Sequence, residues 1–250
     1  MLIEYKEQGQ TLGQLTNQIK NITNNKICYI GRLDPMASGL VCYFSGNECK
    51  LASKYLKFDK TYMFNLILGI STDSCDSLGM VTGLSPCFEI NYNFLEKFND
   101  YIYIQEYPIY SSFVIKKDGL KKPLWYYAIN NIKIDNLPKH EVHIKNLELN
   151  GEEFYIKDTE YFIKQIKKLD DDKGISLRKK EIIEQYSMIE GIHLMGIPLI
   201  ARVSSGTYIR KLCEDIGNYL RIPAMADSIE RVAYHFPGEI ENIENLENFQ

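Results

Sequence analysis

The sequence predicts an α+β fold: a mixed, mostly antiparallel sheet flanked by helices and loops. Three observations lead there. Apolar runs of strand length recur along the 250 residues with no βαβ rhythm. The amphipathic helical stretches are few and stand apart. Hydrophobic residues make up 45% of the chain and charged residues 25%, enough to bury a sizeable core.

The elements follow in order. "TLGQLTNQIKNI" sets Leu12, Leu15, Ile19 and Ile22 on one helical face. "GLVCYF" is a short apolar run between glycines and reads as a buried strand or an element packed beneath Asp34. "KTYMFNLILG" is a strand, apolar for most of its length, and "STDSCDSLGMVTG" after it is rich in turn residues. "FEINYNFLEKFND" offers a helix with Phe94, Leu95 and Phe98 inward. Residues 105–134 differ: aromatics, turn residues and lysines interleave through "QEYPIYSSF", "KKDGLKK" and "PLWYYAINNIKI", as expected of a surface excursion. Residues 139–167 return to strand-like alternation, and 168–190 carry the charge runs of a solvated helix. "GIPLIARVSSGTYIRKLCEDIGNYL" predicts strand, turn and amphipathic helix, with Ile209, Leu212, Cys213 and Ile216 as the apolar stripe. The tail "ENIENLENFQ" reads as frayed or helical.

No apolar stretch reaches the length of a membrane span, and the N-terminus lacks the basic-then-apolar order of a signal peptide, so a soluble, cytoplasmic protein is expected. The six cysteines form no C-x-x-C pair and read as reduced thiols. His140 and His143 lie three apart in an alternating segment, on opposite faces, which argues against a zinc site. The net charge of −4 weighs against nucleic acid as a partner without excluding a local basic patch.

"CYIGRLDPMASGLVCYF" isolates one carboxylate, Asp34. The residue before a proline is driven out of the α region, Pro35 has a fixed φ, and flanking glycines reach conformations barred to other residues. Together they make a stiff turn that aims an acid, which suits nucleophilic or acid–base work. The same residues also fit an Asp N-cap with Pro at the first helical position, and taken alone they favour that cap.

Other stretches change the weighing. "KEQGQT" keeps Lys6, Gly9 and Thr11 of a K-P-x-G-x-T-S opening. "GRLDPMASGLV" is like G-x-L-D-P-x-A-S/T-G-L/V. "KTYMFNLILGISTDSCDSLGMV" is like a K-x-Y strand, an L-G, then a T-D-x-x-D-x-x-G turn. "QEYPIYSSF" is like Q-x-P-P-x-Y/F-S-A, and "SSGTYIRKLCEDIG" is close to S-x-G-T-Y-I-R-x-L-x-x-D-I/L-G. In this order they resemble the TruB family of tRNA pseudouridine synthases over about residues 2–232. The RsuA and RluA synthases share the "GRLD…SGL" element but not "GTYIRKLCEDIG".

The resemblance implies a pseudouridine synthase fold over 1–250, a single catalytic domain with an RNA-gripping insertion near 105–134 and no C-terminal PUA-like domain. It implies isomerisation of uridine to pseudouridine, at uridine 55 of the tRNA T-loop, by a monomer that needs no cofactor and no metal. Asp34 is then the catalytic aspartate, Arg210 the arginine that pairs with it, and Tyr62 the tyrosine that stacks on the flipped base and serves a late proton transfer. Tyr208 and Ile229 line the base pocket. Tyr29, Lys6 and Arg231 are further substrate-binding candidates. The chain departs from the pattern at Tyr29, where a His is common, and at Glu7, Arg32, Tyr107 and Glu230. Two alternatives remain: an RNA-binding or RNA-folding protein of the same fold without catalysis, and a synthase acting on mRNA or rRNA.

Overall fold

A computed structural model describes residues 1–86, 89–169 and 178–236 in full and the backbone of 239–242. The first strands are β1 (Leu2–Lys6), β2 (Ile27–Ile30), β3 (Ser38–Ser45), β4 (Asp59–Leu68), β5 (Ile70–Thr72), β6 (Val81–Leu84) and β7 (Tyr101–Glu106). They are followed by β8 (Val114–Lys117), β9 (Leu120–Pro123), β10 (Lys139–Leu149), β11 (Phe154–Ile156), β12 (Leu194–Val203), β13 (Ala224–Phe236) and β14 (Glu239–Asn242). The helices are α1 (Leu12–Thr23), α2 (Ala52–Tyr55), α3 (Asn93–Phe98), α4 (Leu124–Ile129), α5 (Glu160–Lys167), α6 (Lys179–Ser187) and α7 (Ile209–Leu220).

Among the described residues, ten strands form one sheet with the path β1-β3-β13-β4-β12-β10-β7, while β2, β11 and β14 pair at its sides. All pairings are antiparallel except a short parallel contact of β13 with β3. The fold is therefore the expected α+β class with a mostly antiparallel sheet. Helices cover both faces. On β4, Phe64, Leu66 and Leu68 join one core with α1, α3 and α7, whereas Ile67 joins a second core with α5 and α6. That is the period-2 alternation of a strand buried on both sides.

Local chemistry explains the ends of the elements. Thr11 caps α1 in a reciprocal box, its hydroxyl accepting from Gln14 N at 3.1 Å while Gln14 Oε1 accepts from Thr11 N at 2.7 Å. Leu12, Leu15 and Ile19 are buried as expected, but Ile22 is 85% exposed, because it lies on the last turn and no core cluster reaches it. Phe94 and Phe98 of α3 are buried and Leu95 is partly so. The strand reading of 139–167 holds for β10 and β11 but fails at α5, where Phe162, Ile163 and Ile166 face inward at helical spacing. Within 168–190, α6 is helical and buries Ile182 and Tyr186, while 170–177 lie outside the described residues. Of the tail, Glu241 and Asn242 belong to β14 and 243–250 lie outside the described residues, as does Cys87. The other cysteines are free thiols. No described helix is long and apolar enough to cross a membrane.

The loop between β2 and β3 carries Asp34, and no helix follows it. Ala37 N donates to Asp34 O at 3.0 Å, closing a tight turn, so the N-cap reading gives way to the aimed acid. Two fully buried cations hold this loop. Lys6 Nζ donates to Ala37 O, to Glu7 O at 3.1 Å and to Pro35 O at 3.4 Å. On the other side Arg231 donates to Leu40 O at 2.8 Å, Arg32 O at 3.2 Å and Gly31 O at 3.4 Å. A third cation, Lys60 at the start of β4, donates to Phe58 O at 2.5 Å and Leu56 O at 3.4 Å. Burial, and then the neighbouring Arg231, lower the Lys60 ammonium to about 8.

Two predictions follow from this clamp. Gly39 has φ +107°, and a Cβ there would stand 2.4 Å from Arg231 O. Gly39→Ala should therefore lower the unfolding free energy by more than about 3 kcal/mol in urea melts, through overpacking and a disfavoured φ. For Lys60 the folded value lies below the unfolded one, so the unfolded chain binds more protons as pH rises from about 8 towards 10 and wild type gains stability there. The thiols of Cys75 and Cys213, raised by burial, act in the opposite sense but cancel in a comparison of variants. The stability of wild type relative to Lys60→Met should rise by about 1–2 kcal/mol between pH 7.5 and 9.5.

Candidate active site

Beta strand β4 delivers the first side chains. The face that buries Leu68, Leu66 and Phe64 continues to Tyr62, still part of the same core, and to Lys60, and both line a cleft of about 320 Å³. Arg231 stands directly across from Tyr62 on β13. Between Asp227 and Glu230 the β13 register shifts and Ser228 takes φ +50°, a bulge beside Ile229, which also lines the cleft.

Helix α7 delivers the cation. Its stripe of Ile209, Leu212, Cys213 and Ile216 is fully inward. Gly217 lets it approach β13 closely, since a Cβ there would meet Ala224 Cβ at 2.4 Å. Tyr208 is the extended N-cap residue. Its backbone is held by buried Gln105, whose Oε1 accepts from Tyr208 N at 2.9 Å and whose Nε2 donates to Tyr208 O at 3.3 Å. Arg210 thus enters the first helical turn with its orientation fixed.

Arg210 is 3% exposed and Asp34 37% exposed at the side chain, so the cation stands behind the acid and the acid faces the cleft. Arg210 Nε donates to Asp34 Oδ2 at 2.7 Å, Nη1 to Ser74 O at 2.5 Å and Nη2 to Tyr110 O at 3.3 Å. Buried Asp76 places Oδ2 at 3.5 Å from Nε. Its other oxygen accepts from Ser74 Oγ at 2.5 Å and Leu78 N at 3.0 Å. A cation in the first turn opposes the helix dipole, and these two carboxylates compensate it. Burial disfavours the guanidinium charge, but Asp34 and then Asp76 outweigh it, and Arg210 is held firmly protonated. Burial raises Asp76, with Arg210 acting against the rise.

Walls complete the site. Tyr208, Ile229 and Arg231 line the cleft with Asp34, Tyr62 and Arg210, so six of the expected residues converge. Burial, followed by the Asp34 charge, pushes the Tyr208 phenol up to about 12. The expectation for Lys6 is corrected: it is fully buried beneath the Asp34 turn, with its ammonium engaged by carbonyls, not presented to a ligand. Arg231 is fully buried yet lines the cleft; it donates to three backbone carbonyls and also hydrogen-bonds the Tyr62 side chain. Tyr29 is half-buried on β2 against the main core and is not a cleft residue. Asp76, Lys60 and Gln105 were not singled out from sequence; the spaced carboxylates of "TDSCDSLG" were the available signal for Asp76. No cluster of three or more metal-ligating side chains occurs among the described residues.

Of the excursion expected at 105–134, Gln105 and Glu106 instead end β7 in the main sheet, and the remainder carries the β8–β9 hairpin and α4. Lys116, Lys121 and Lys122 are exposed on it. Tyr127 is its buried core, donating to Leu120 O at 2.8 Å, whereas Trp125 is half-exposed and lines a second, smaller cavity that also contains Asp34 and Arg210.

Comparison with known proteins agrees with this geometry. The model of the TruB family pseudouridylate synthase (N terminal domain) matches residues 19–170, more than half of the chain. A tRNA pseudouridine synthase B of Blochmanniella pennsylvanica is 31% identical over 236 residues, covering 93% of this chain and 74% of its own. That of Mesoplasma florum is 30% identical, covering 99% of this chain and 72% of its own. The chain spans only about half of a third relative, from Psychrobacter cryohalolentis, at 49% of its length. Among solved structures, a Cbf5-Nop10-Gar1 complex matches with a TM-score of 0.54 at 16% identity, over 92% of this chain and 47% of that one, a likeness of fold. With that fold, and an aimed Asp34 backed by Arg210, this chain belongs to the TruB family of pseudouridylate synthases, isomerases of tRNA uridine.

Proposed function

We propose that this chain converts the T-loop uridine of tRNA, position 55, to pseudouridine, with Asp34 as its catalytic carboxylate. The observation that carries the reading is the pairing of a solvent-facing Asp34 with a buried Arg210 at 2.7 Å, at the mouth of a cleft walled by Tyr62, Tyr208 and Ile229. The volume, about 320 Å³, suits one small organic group.

The reaction breaks the N1–C1′ bond, turns the uracil and forms C5–C1′. A proton leaves C5 and one is gained at N1, so atoms and electrons balance without a redox partner. Asp34 stands where it meets the sugar–base bond, and Arg210 fixes the orientation of its carboxylate. Tyr62 offers the ring against which the detached base turns and an oxygen within the cleft for the late proton transfer. Tyr208 and Ile229 keep the base from leaving. Extruding the uridine from its loop costs a few kcal/mol, which contacts elsewhere offset. The exposed lysines of the β8–β9 hairpin, with Trp125 and Tyr126, supply phosphate contacts and stacking faces.

The test is base-by-base mapping of pseudouridine in an unmodified tRNA transcript. Wild type should modify one T-loop site, and Asp34→Asn should lower the rate by more than about 1,000-fold while retaining RNA binding in a filter assay. Modification elsewhere only, or undiminished modification by Asp34→Asn, would refute the reading. Asp76→Asn should lower kcat by about 100-fold with little change in KM, because Arg210 loses its second anchor and Asp34 its alignment. An Asp76→Asn enzyme with wild-type kcat would show that Asp34 and the carbonyls of Ser74 and Tyr110 position the guanidinium without the Asp76 charge.

A further inference from the structure

Tyr107 and Ser112 belong to the segment "QEYPIYSSF", at the two positions where Q-x-P-P-x-Y/F-S-A carries Pro and Ala. Both side chains line the cleft. Ser112 also lines the second cavity, so it stands at the boundary between the two. Neither hydroxyl has a hydrogen-bond partner among the described residues, although each residue is half-buried. Two neighbouring side chains on the same segment are engaged within the protein: Gln105 holds Tyr208, and Tyr110 OH donates to Asp73 Oδ2 at 3.3 Å.

The Tyr107 ring is fixed. Phe113 stacks on one face with centroids 4.0 Å apart and His140 on the other at 4.2 Å, both at 29°. His140 in turn is tied to the cleft rim by a hydrogen bond of 3.1 Å from Nε2 to Gly206 O. A ring with both faces covered has no platform left for a nucleobase. What it retains for a ligand is its edge and its hydroxyl. Burial raises the phenol, so the group stays a hydrogen-bond donor at neutral pH.

We infer that Tyr107 and Ser112 are specificity-determining contacts, which read the extruded nucleotide through hydrogen bonds from their hydroxyls, in the cleft that Asp34 also lines. The inference rests on the functional reading above and deepens it. Two added hydroxyls on one wall, one of them on an immobilised ring, lose little freedom when they bind. They favour a ligand with polar edges, as a ribonucleotide presents along its sugar and base. Both hydroxyls are open to the cleft, so a bound nucleotide can take them as donors without breaking a contact inside the protein.

The test is steady-state kinetics on an unmodified T-arm stem-loop transcript, reading pseudouridine, for wild type, Tyr107→Phe, Ser112→Ala and the double variant. Tyr107→Phe keeps the three-ring stack and removes only the oxygen. Each single change should raise KM by about 2–10-fold with kcat and melting temperature unchanged, and the double variant should show the product of the two effects. Wild-type KM in both single variants, alongside an active wild type, overturns the inference alone. A fall in kcat with unchanged KM would make them part of the chemistry and overturns it too. A wild type that forms no pseudouridine in the transcript overturns the functional reading and this inference with it.

Discussion

Two buried positive charges, Lys6 and Arg231, hold the loop that bears Asp34, and the rest of the site depends on that clamp. An ammonium or guanidinium without water is costly unless its donors are taken. Here each cation has three carbonyl acceptors, and two of each three belong to that loop: Pro35 O and Ala37 O for Lys6, Gly31 O and Arg32 O for Arg231. Backbone dipoles replace water, and the loop cannot move without uncovering a charge. The geometry of the carboxylate is therefore secured by groups that never meet the reacting atoms.

Arg210 extends the same logic one layer outward. It ties the turn of Asp34 to the backbone at Ser74 and Tyr110, and thus joins four parts of the chain that are distant in sequence. Asp76 supplies the second negative charge and is itself held by Ser74 and Leu78. Removing any one member leaves the others buried with unmatched charge or unmatched dipoles, so the network acts as a unit.

Much of this was legible in the sequence because its causes are local. The apolar stripe of α7 has period 3.6 and the apolar run of β4 has strand length, and both fold as read. The set Asp34, Tyr62, Tyr208, Arg210 and Ile229 was legible only through resemblance, since no local rule brings position 34 to position 210. What was missed has non-local causes. The local chemistry of Asp34–Pro35 fits a helix cap, and only the carbonyl contacts of Lys6 and Arg231 decide for a turn. A cation in a matched family motif reads as a substrate contact until its burial is seen, as at Lys6. The helix at Glu160–Lys167 was hidden because interspersed lysines and glutamine mimic alternation over so short a span.

The single face of β4 that runs from Leu68 through Phe64 to Tyr62 and Lys60 has a consequence for how this protein is kept correct. Successive side chains on a strand point to opposite sides, so a slip of one residue would put Met63 and Thr61 where Phe64 and Tyr62 belong. The core and the reacting pocket would fail together. Catalysis in this molecule is thus a gauge of strand alignment: any chain that turns over substrate has its central strand in register, and selection for activity polices folding at no separate cost.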